Sequence, residues 1–463
     1  MGFKLRIRFV VVFVLFLGFV LKFAIVSIPN VTLVAISKAE PMDCNSTKWD
    51  HRTRNTIQSA LFYGNVLIQL PAGRISELFG VRMTLGPSIL VAAILSAFMP
   101  LAVRSGTLAA FSLRFIQGIF LGLAFPSMHT LLAQWAPKNE RSILSSLIFI
   151  GCACGTIGIQ IISGYLCEVS LFGGWPLPYY LIGILGFFWF PLWIVFVYDE
   201  PEEHPMVRGF ELAEINEGRN RSALNQVLGL PLGKILTSLP VIAQIIAQIG
   251  CVWTVHFVGL QLPEYMDAVI NVKISSNGIY SSLPHIAFAL SAFVHGFIGD
   301  RLRASGKISI TPLRKIFNSI GSLGPAFCFI AIPLIGTDSF KVVMLFNVAM
   351  IIFGATTTGS SMINLDMSPT YAGTINGLVS FFSSCTGFLV PIATSWLVGE
   401  SKEIKDWAKL FFFSSGINIF GALIFCIFAD ANIQKFDPES HSNSRRTSIR
   451  QSVEYNEAIG RGL

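Results

Sequence analysis

Arg114 is the side chain in this sequence whose type and position most clearly suggest ligand binding. It stands in the apolar run RFIQGIFLGLAF, which belongs to a stretch long enough to cross a bilayer. An arginine within a membrane span costs several kcal/mol, so it usually faces a cavity or a partner. Its guanidinium can hold a carboxylate or a phosphate through two parallel hydrogen bonds. We therefore interpret Arg114 as an anion-binding residue; a structural role, through backbone carbonyls or a carboxylate partner, stays open.

Four other polar side chains lie in apolar runs and are candidates for the same site. Lys22 is a cation in the first run that should face the cavity or a carboxylate. Tyr63 can donate one hydrogen bond to an anion, and His256 either lines the cavity or packs. His129 can carry protons because histidine titrates near neutrality, or it is a buried structural histidine. We assign Arg114, Tyr63, His256 and Lys22 to substrate binding, and His129 to a proton or cavity role.

The composition is that of a membrane protein. Of 463 residues, 53% are hydrophobic and 13% are charged, whereas a soluble domain has about 25% charged residues. The net charge of +7 comes from basic residues in short loops, where they set orientation, so we expect no nucleic-acid partner. The sequence contains no nucleophile with a base, no Walker motif and no metal cluster, and we expect neither an enzyme nor a bound cofactor or metal.

About twelve apolar runs have the length of a spanning helix. They predict an all-α membrane protein with a first bundle of six helices (1–198), a cytoplasmic linker (199–235) and a second bundle of six (236–430). The tail (431–463) is too polar to fold alone and should be a disordered cytoplasmic segment. The first run follows basic residues like a secretory signal, but its length favours a retained helix.

The basic residues predict cytoplasmic N- and C-termini, because the loops on that side are richer in Lys and Arg. The first outer loop departs from this bias with Lys38, Lys48, Arg52 and Arg54. It also carries a glycosylation sequon at Asn45, which fits a lumenal or extracellular face. Cys44 and Cys167 lie near loops on that face, and whether they pair stays open.

Two loops at equivalent points of the two halves carry matching signals. GRISELFGVR follows the second run and GFIGDRLR follows the eighth. Each has a glycine, a carboxylate four residues on, and then basic residues, which predicts two related bundles with a site between them. Glycine lets helix ends approach closely, and a carboxylate can pair with an arginine or a helix end. The conformational gating residues that we predict are Gly73, Glu77, Arg82, Gly296, Asp300, Arg301 and Arg303.

These loops resemble the signature of the major facilitator superfamily, with Glu77 in the place of the usual Asp. The segment RFIQGIFLGLAFPSMHTLLAQWAPKNERS (114–142) is similar to the anion–cation symporter group of that superfamily. This group comprises sodium/phosphate-type organic anion transporters, sialin and vesicular glutamate transporters. ALFYGNVLIQLPAG, WTVHFVGLQLPEYM and INLDMSPTYAGTINGL also agree with that group. The resemblance implies the major facilitator fold, and it links Arg114 to substrate recognition.

Three positions depart from the group's pattern. Leu121 replaces a glutamate that many relatives use for proton coupling, Ile28 replaces an arginine of the first span, and Gln58 replaces a histidine of vesicular glutamate transporters. These departures put proton coupling and glutamate as substrate in doubt. Lys22 is our hypothesis for a partial replacement of the missing arginine.

The sequence thus predicts a secondary active or facilitative transporter of small organic or inorganic anions that works by alternating access. The coupling ion, if one is used, is Na⁺ or H⁺. We expect a monomeric, multi-pass glycoprotein surrounded by membrane lipid, in the plasma membrane or in a vesicle or lysosome membrane. The alternative is a transporter-fold sensor or scaffold without coupled transport.

Overall fold

The computed structural model describes residues 6–38, 49–137, 141–169, 171–207, 209–216, 231–368 and 371–437. Every regular element in these ranges is a helix. The first part of the chain contains α1 (Ile7–Lys38), α2 (His51–Phe79), α3 (Val81–Ser105), α4 (Thr107–Gly122), α5 (Ala124–Trp135), α6 (Arg141–Leu166), α7 (Leu177–Phe196) and the short helix α8 (Gly209–Asn216).

The second part contains a short helix and the helices of the other half. They are α9 (Leu232–Leu236), α10 (Leu239–Ala268), α11 (Ile274–Ala304), α12 (Ile310–Ala331), α13 (Ser339–Phe353), α14 (Ser360–Met367), α15 (Ala372–Ser384), α16 (Thr386–Leu397) and α17 (Ile404–Phe428). We call α1–α7 the N half and α10–α17 the C half. The end of the molecule at which α1 ends and α2 begins is called the outer end, and the opposite end is the inner end.

The described helices account for the predicted number of membrane crossings. Eleven stretches are long and apolar enough to span a bilayer. The remaining crossing is α2, whose 29 residues reach about 43 Å at 1.5 Å per residue. It leads from the outer end of α1 to the start of α3, and polar side chains along it, among them Gln58, Asn65 and Gln69, lower its hydropathy. With α2 counted, the prediction of an all-α protein with about twelve spanning helices is confirmed.

Three crossings are interrupted near their middle. The fourth consists of α4 and α5 with a turn at Leu123, and the eleventh consists of α15 and α16 with a break at Cys385. In the tenth, α13 passes into a 3₁₀ turn over Gly354–Thr357 before α14 begins. Broken helices leave backbone carbonyls without helical partners, so side chains must satisfy them within the bundle.

Small residues let the helices of the N half approach closely. A side chain at Gly118 of α4 would overlap the backbone carbonyl of Leu61 in α2, and one at Gly64 would overlap the carbonyl of Phe115. Membrane helices commonly use glycine at such contacts because the hydrophobic effect does not drive helices together in lipid. The second and fourth crossings therefore meet backbone to backbone.

Aromatic side chains fill the core of the C half. The ring of Phe257 in α10 lies 5.1 Å from that of Phe329 in α12 and 5.4 Å from that of Phe411 in α17, both edge to face. All three rings are buried. Such pairs add to packing because the positive ring edge meets the negative ring face.

The short helix α8 fixes the inner end of α1. The Glu211 carboxylate accepts hydrogen bonds from the backbone N–H groups of Ile7 and Arg8, and Glu214 pairs with Arg6 at 2.8 Å and with Arg8 at 2.7 Å. A carboxylate is favourable at a helix N-terminus because the first N–H groups lack helical acceptors. The segment after α7 thereby holds the start of the first crossing.

Candidate functional site

Arg114 lies in α4, about two turns from its outer end by helical rise, and only 2% of it is exposed. Its Nη1 donates to the carbonyl of Ile25 in α1 at 3.2 Å and to Oε1 of Gln117 at 3.1 Å. Its buried Nε has no hydrogen-bond partner among the described residues. No acidic side chain in the described ranges pairs with it either. Arg114 thus connects α4 to the α1 backbone, which is the structural role that the sequence analysis left open. Its Nε–H stays available to donate a further hydrogen bond.

Gln117 orients Arg114 from one turn further along α4. Its Nε2 donates to the carbonyl of Ala92 at 3.0 Å and to Oγ of Ser96 at 3.1 Å, both in α3. The amide is therefore fixed with its oxygen toward the guanidinium. This arrangement supplies Arg114 with a dipole but with no compensating charge.

Lys22 does not have the environment that its sequence position suggested. Its Nζ lies 3.8 Å from the ring centroid of Phe125 in α5, and 5.4 and 5.3 Å from the rings of Phe19 and Phe23 in α1. Among the described residues, no carboxylate pairs with it. An ammonium group is attracted to the faces of aromatic rings, so three phenyl rings surround Lys22 where we expected a carboxylate or an open cavity.

Arg114 contacts α1 close to the position of Lys22, which is itself a residue of α1. Arg114 binds the carbonyl of Ile25, which is three residues from Lys22 and hence on the same side of the helix within one turn. The structure therefore brings two predicted cationic site residues to the contact between the first and fourth crossings. At the neighbouring position, Ile28 is fully buried and offers no charge.

Tyr63 and His256 lie where the two halves touch. The Tyr63 ring stacks on that of Phe388 in α16 at 4.7 Å, and the next residue, Phe62, meets the His256 ring at 4.9 Å. Nδ1 of His256 lies 2.8 Å from Oγ1 of Thr386. Because the Thr386 hydroxyl donates to a backbone carbonyl, it is left to accept from Nδ1–H. Nε2 of the neutral ring is then an acceptor.

The first predicted gating loop makes its described contacts inside the N half. The backbone N–H of Arg82 donates to Asp199 at 2.8 Å, its Nη2 donates to the carbonyl of Ile194, and its guanidinium lies 4.2 Å from the ring of Tyr198. The partner carboxylate, Asp199, follows α7 and was not identified from the sequence. Asp199 can accept this hydrogen bond because the positive φ of 79° at Gly80 brings the loop close to its carboxylate.

The second predicted gating loop needs a correction. A side chain at Gly296 would meet nothing within 4 Å, whereas one at Gly299 would overlap the Thr358 side chain. The glycine that permits close approach is therefore Gly299, three residues further on. Asp300, Arg301 and Arg303 are exposed, and Arg301 lies over the ring of Phe297 at 4.6 Å.

Several predicted residues lie outside the described part of the structure. The surroundings of Gly73 and the side chains of Glu77 and His129 are not described, although their backbones belong to α2 and α5. Asn45 and Cys44 belong to residues 39–48, which are also outside it. The predicted roles of these five residues stay predictions.

A buried ion pair ties the ninth crossing to the tenth. Nε of Arg314 in α12 donates to Asp366 in α14 at 2.7 Å, and its Nη1 donates to the carbonyl of Thr358 at 2.6 Å. Thr358 follows the 3₁₀ turn, so the arginine satisfies a carbonyl that the broken helix leaves free. The sequence analysis did not identify this pair.

Polar ties join the two halves at the outer end, and sequence reasoning did not find them. Arg54 of α2 pairs with Glu264 of α10 at 3.0 Å. Nδ2 of Asn55 in α2 donates to Ser395 in α16 at 3.0 Å. The Glu168 carboxylate, after α6, accepts the backbone N–H of Ser275 in α11 at 3.0 Å, and hydrogen bonding from the side chain and backbone of Ser275 lowers the pKa of Glu168. These contacts close the outer end.

Two sets of membrane helices, polar groups at their contact and ties that close one end define the class of this protein. It is a multi-pass membrane transporter. The chain belongs to the Major Facilitator Superfamily, whose family model matches residues 9–391.

Among curated proteins, the chain is similar to human sialin, with 32% identity over 86% of this chain and 79% of sialin. A putative inorganic phosphate cotransporter of Drosophila melanogaster is 30% identical over 93% of this chain and 86% of its own length. A probable small intestine urate exporter of Homo sapiens is 27% identical over 84% and 78%. The predicted resemblance to the anion–cation symporter group is confirmed.

Solved structures share the fold at low sequence identity. The xylose transporter of E. coli in an inward-open conformation aligns with a TM-score of 0.71 at 13% identity, over 91% of this chain and 96% of that one. A bacterial homologue of the human lysosomal transporter Spinster aligns with the same TM-score and identity, over 94% and 100%.

Proposed function

We propose that this protein carries small organic or inorganic anions across a membrane by alternating access, with Arg114 as the principal anion-binding group. The observation that carries the proposal is the state of the guanidinium. It is buried in the fourth crossing, no described acidic side chain neutralises it, and Nε has no partner among the described residues. A buried charge without a counter-charge is costly. An anion that reaches Nε would supply both the missing charge and the missing hydrogen bond.

The relatives support the substrate class. Their names include sialin, an inorganic phosphate cotransporter and a urate exporter, whose substrates by name include anions. An arginine suits a carboxylate and a phosphate equally well because both present two oxygens to the guanidinium fork. We therefore propose the class of anion, with Tyr63, His256 and Lys22 as further members of the site.

The energy source is the second part of the proposal. The helices α4 and α5 contain no Asp or Glu, and Leu121 is fully buried, so the fourth crossing offers no carboxylate for a proton. Transport then runs down the anion's own gradient or uses Na⁺ or H⁺ bound elsewhere. The protein acts as a monomer within membrane lipid in this proposal.

Uptake into vesicles tests the proposal. The purified protein is reconstituted, and radiolabelled phosphate, urate, sialic acid and glutamate are offered singly, with sodium, proton and voltage gradients imposed one at a time. We expect saturable uptake of at least one anion. Arg114→Gln should lower its rate at low concentration by more than tenfold, because hydrogen bonds to charged groups are worth about 1.5–3 kcal/mol.

Arg104→Gln is the matched control, since Arg104 is an exposed arginine near the outer end of α3. It should leave uptake unchanged. Arg114→Lys, which keeps the charge but not the fork, should fall between the two. Uptake by a well-folded Arg114→Gln at the wild-type rate would refute the role of Arg114. Absence of uptake for every anion and gradient would favour a sensor or scaffold.

A further inference from the structure

The ion pair at the outer end joins two residues whose halves must separate. Arg54 stands in the first turn of α2 in the N half, and Glu264 in the last turn of α10 in the C half. Their oxygen and nitrogen atoms are 3.0 Å apart, and the side chains are 14% and 8% exposed. A contact of this length cannot persist when the outer ends move apart. Opening therefore uncovers a guanidinium on one wall of the entrance and a carboxylate on the other.

The pair lies in a small cavity between the halves. The amide side chains of Asn30 and Gln58 line it, together with Leu33, Val34 and Leu260. The two amides can donate hydrogen bonds, and the apolar side chains lower the local dielectric, which strengthens charge–charge attraction. These side chains form an environment that suits a bound carboxylate. In the closed form, Glu264 provides that carboxylate.

We propose that Arg54 is an outer anion-binding site that is occupied alternately by the incoming anion and by Glu264. This inference rests on the proposed anion transport. When the outer end is open, Arg54 binds the anion at the entrance through the same guanidinium that now pairs with Glu264. When the outer end closes, the Glu264 carboxylate displaces the anion from Arg54, and the anion moves on toward Arg114. Glu264 thus prevents the anion from returning to the entrance.

The sidedness of transport follows from this exchange. With the outer end closed, Arg54 is paired with Glu264, so it takes no part in binding from the inner side. Loss of the guanidinium should weaken anion binding from the outer side alone. A purely structural defect would affect both directions because it would alter the whole protein.

The test measures KM for phosphate, urate, sialic acid and glutamate from each side, in vesicles of known protein orientation. For an anion that the wild type carries, Arg54→Gln should raise the outer KM about tenfold or more and leave the inner KM within about twofold. The matched control is Arg52→Gln, which removes the same charge from an exposed side chain of the same helical turn. It should change neither value.

A paired substitution separates anion binding from mere closure. Arg54→Met with Glu264→Leu replaces the ion pair by apolar side chains, which commonly preserve or improve a buried contact. Closure is measured with a cysteine introduced at Leu33, a buried residue of the cavity. An impermeant maleimide should label this cysteine slowly both in the otherwise wild-type protein and in the pair variant, because the outer end stays closed in both. The outer KM should stay raised in the pair variant.

The outcomes are distinct. If the pair variant recovered the wild-type outer KM, or if Arg54→Gln raised both KM values equally, the ion pair would be a closing contact only and the inference would be wrong. Unchanged KM values in Arg54→Gln would also refute it while leaving the proposed function intact. A wild-type protein that carries none of the four anions would refute the proposed function itself.

Discussion

Exchange of Gly299 for alanine tests the close contact between the eighth and tenth crossings. An alanine methyl group there would overlap the Cγ2 of Thr358 and lie 3.1 Å from its Oγ1. Thr358 cannot rotate away freely, because its hydroxyl donates to the carbonyl of His295 at 3.0 Å and its own carbonyl accepts from Arg314. Overpacking costs about 1–3 kcal/mol and a lost hydrogen bond costs about 1 kcal/mol.

Alanine gains roughly 0.5–1 kcal/mol over glycine within a helix, so the net loss for Gly299→Ala is about 1–3 kcal/mol. Gly296→Ala has the same helical gain without any overlap, since nothing lies within 4 Å of its Cβ position. We expect Gly299→Ala to melt several degrees below the wild type in detergent, and Gly296→Ala to melt at or slightly above it. A Gly299→Ala variant that melts no lower than Gly296→Ala would refute the assigned contact.

Three other changes follow from the same structure. Gly118→Ala should force α2 and α4 apart and lower the melting temperature by several degrees, whereas Gly158→Ala, which has open space around it, should not. Hydrogen bonding from Ser275 lowers the pKa of Glu168 from its ordinary value of 4.5, so this tie supports closure above that pH and is lost as the pH falls through the lowered pKa. Labelling of an outer cysteine should rise in acid by more in the wild type than in Glu168→Gln. Lys22→Met should fold, because the phenyl rings also accept an apolar chain. It should slow anion uptake, because it removes a charge of the proposed site. The uptake rate normalised to surface expression measures this effect.

The sequence was sufficient to predict the crossings and the family. Spanning helices satisfy their backbone polar groups internally and present apolar side chains to lipid, so their positions are visible as apolar runs. The residues of the fourth crossing alone indicated the anion–cation symporter group, and the comparisons confirm that resemblance. The helix α2 is the instructive case. It crosses the membrane with a polar outer turn because Arg54 and Asn55 contact the C half rather than lipid.

The partners of individual side chains could not be predicted in the same way. Arg54 counted as an exception to the loop charge bias, but Glu264 is 210 positions away in the chain and only the packing of α2 against α10 brings them together. Lys22 was expected to meet a carboxylate or a cavity, and α5 supplies Phe125 instead. Gly296 and Gly299 are one turn apart, and hydropathy does not tell which of them faces Thr358.

Three cations of the N half are stabilised in three different ways, and the difference bears on how the transporter works. Aromatic rings surround Lys22, backbone and amide dipoles hold Arg114, and a carboxylate of the other half neutralises Arg54. The first two arrangements lie within the N half and do not depend on the position of the C half, and neither includes a carboxylate among the described residues. The third depends on closure. The electrostatic attraction for an anion at the entrance therefore appears only while the outer end is open, when an anion can enter.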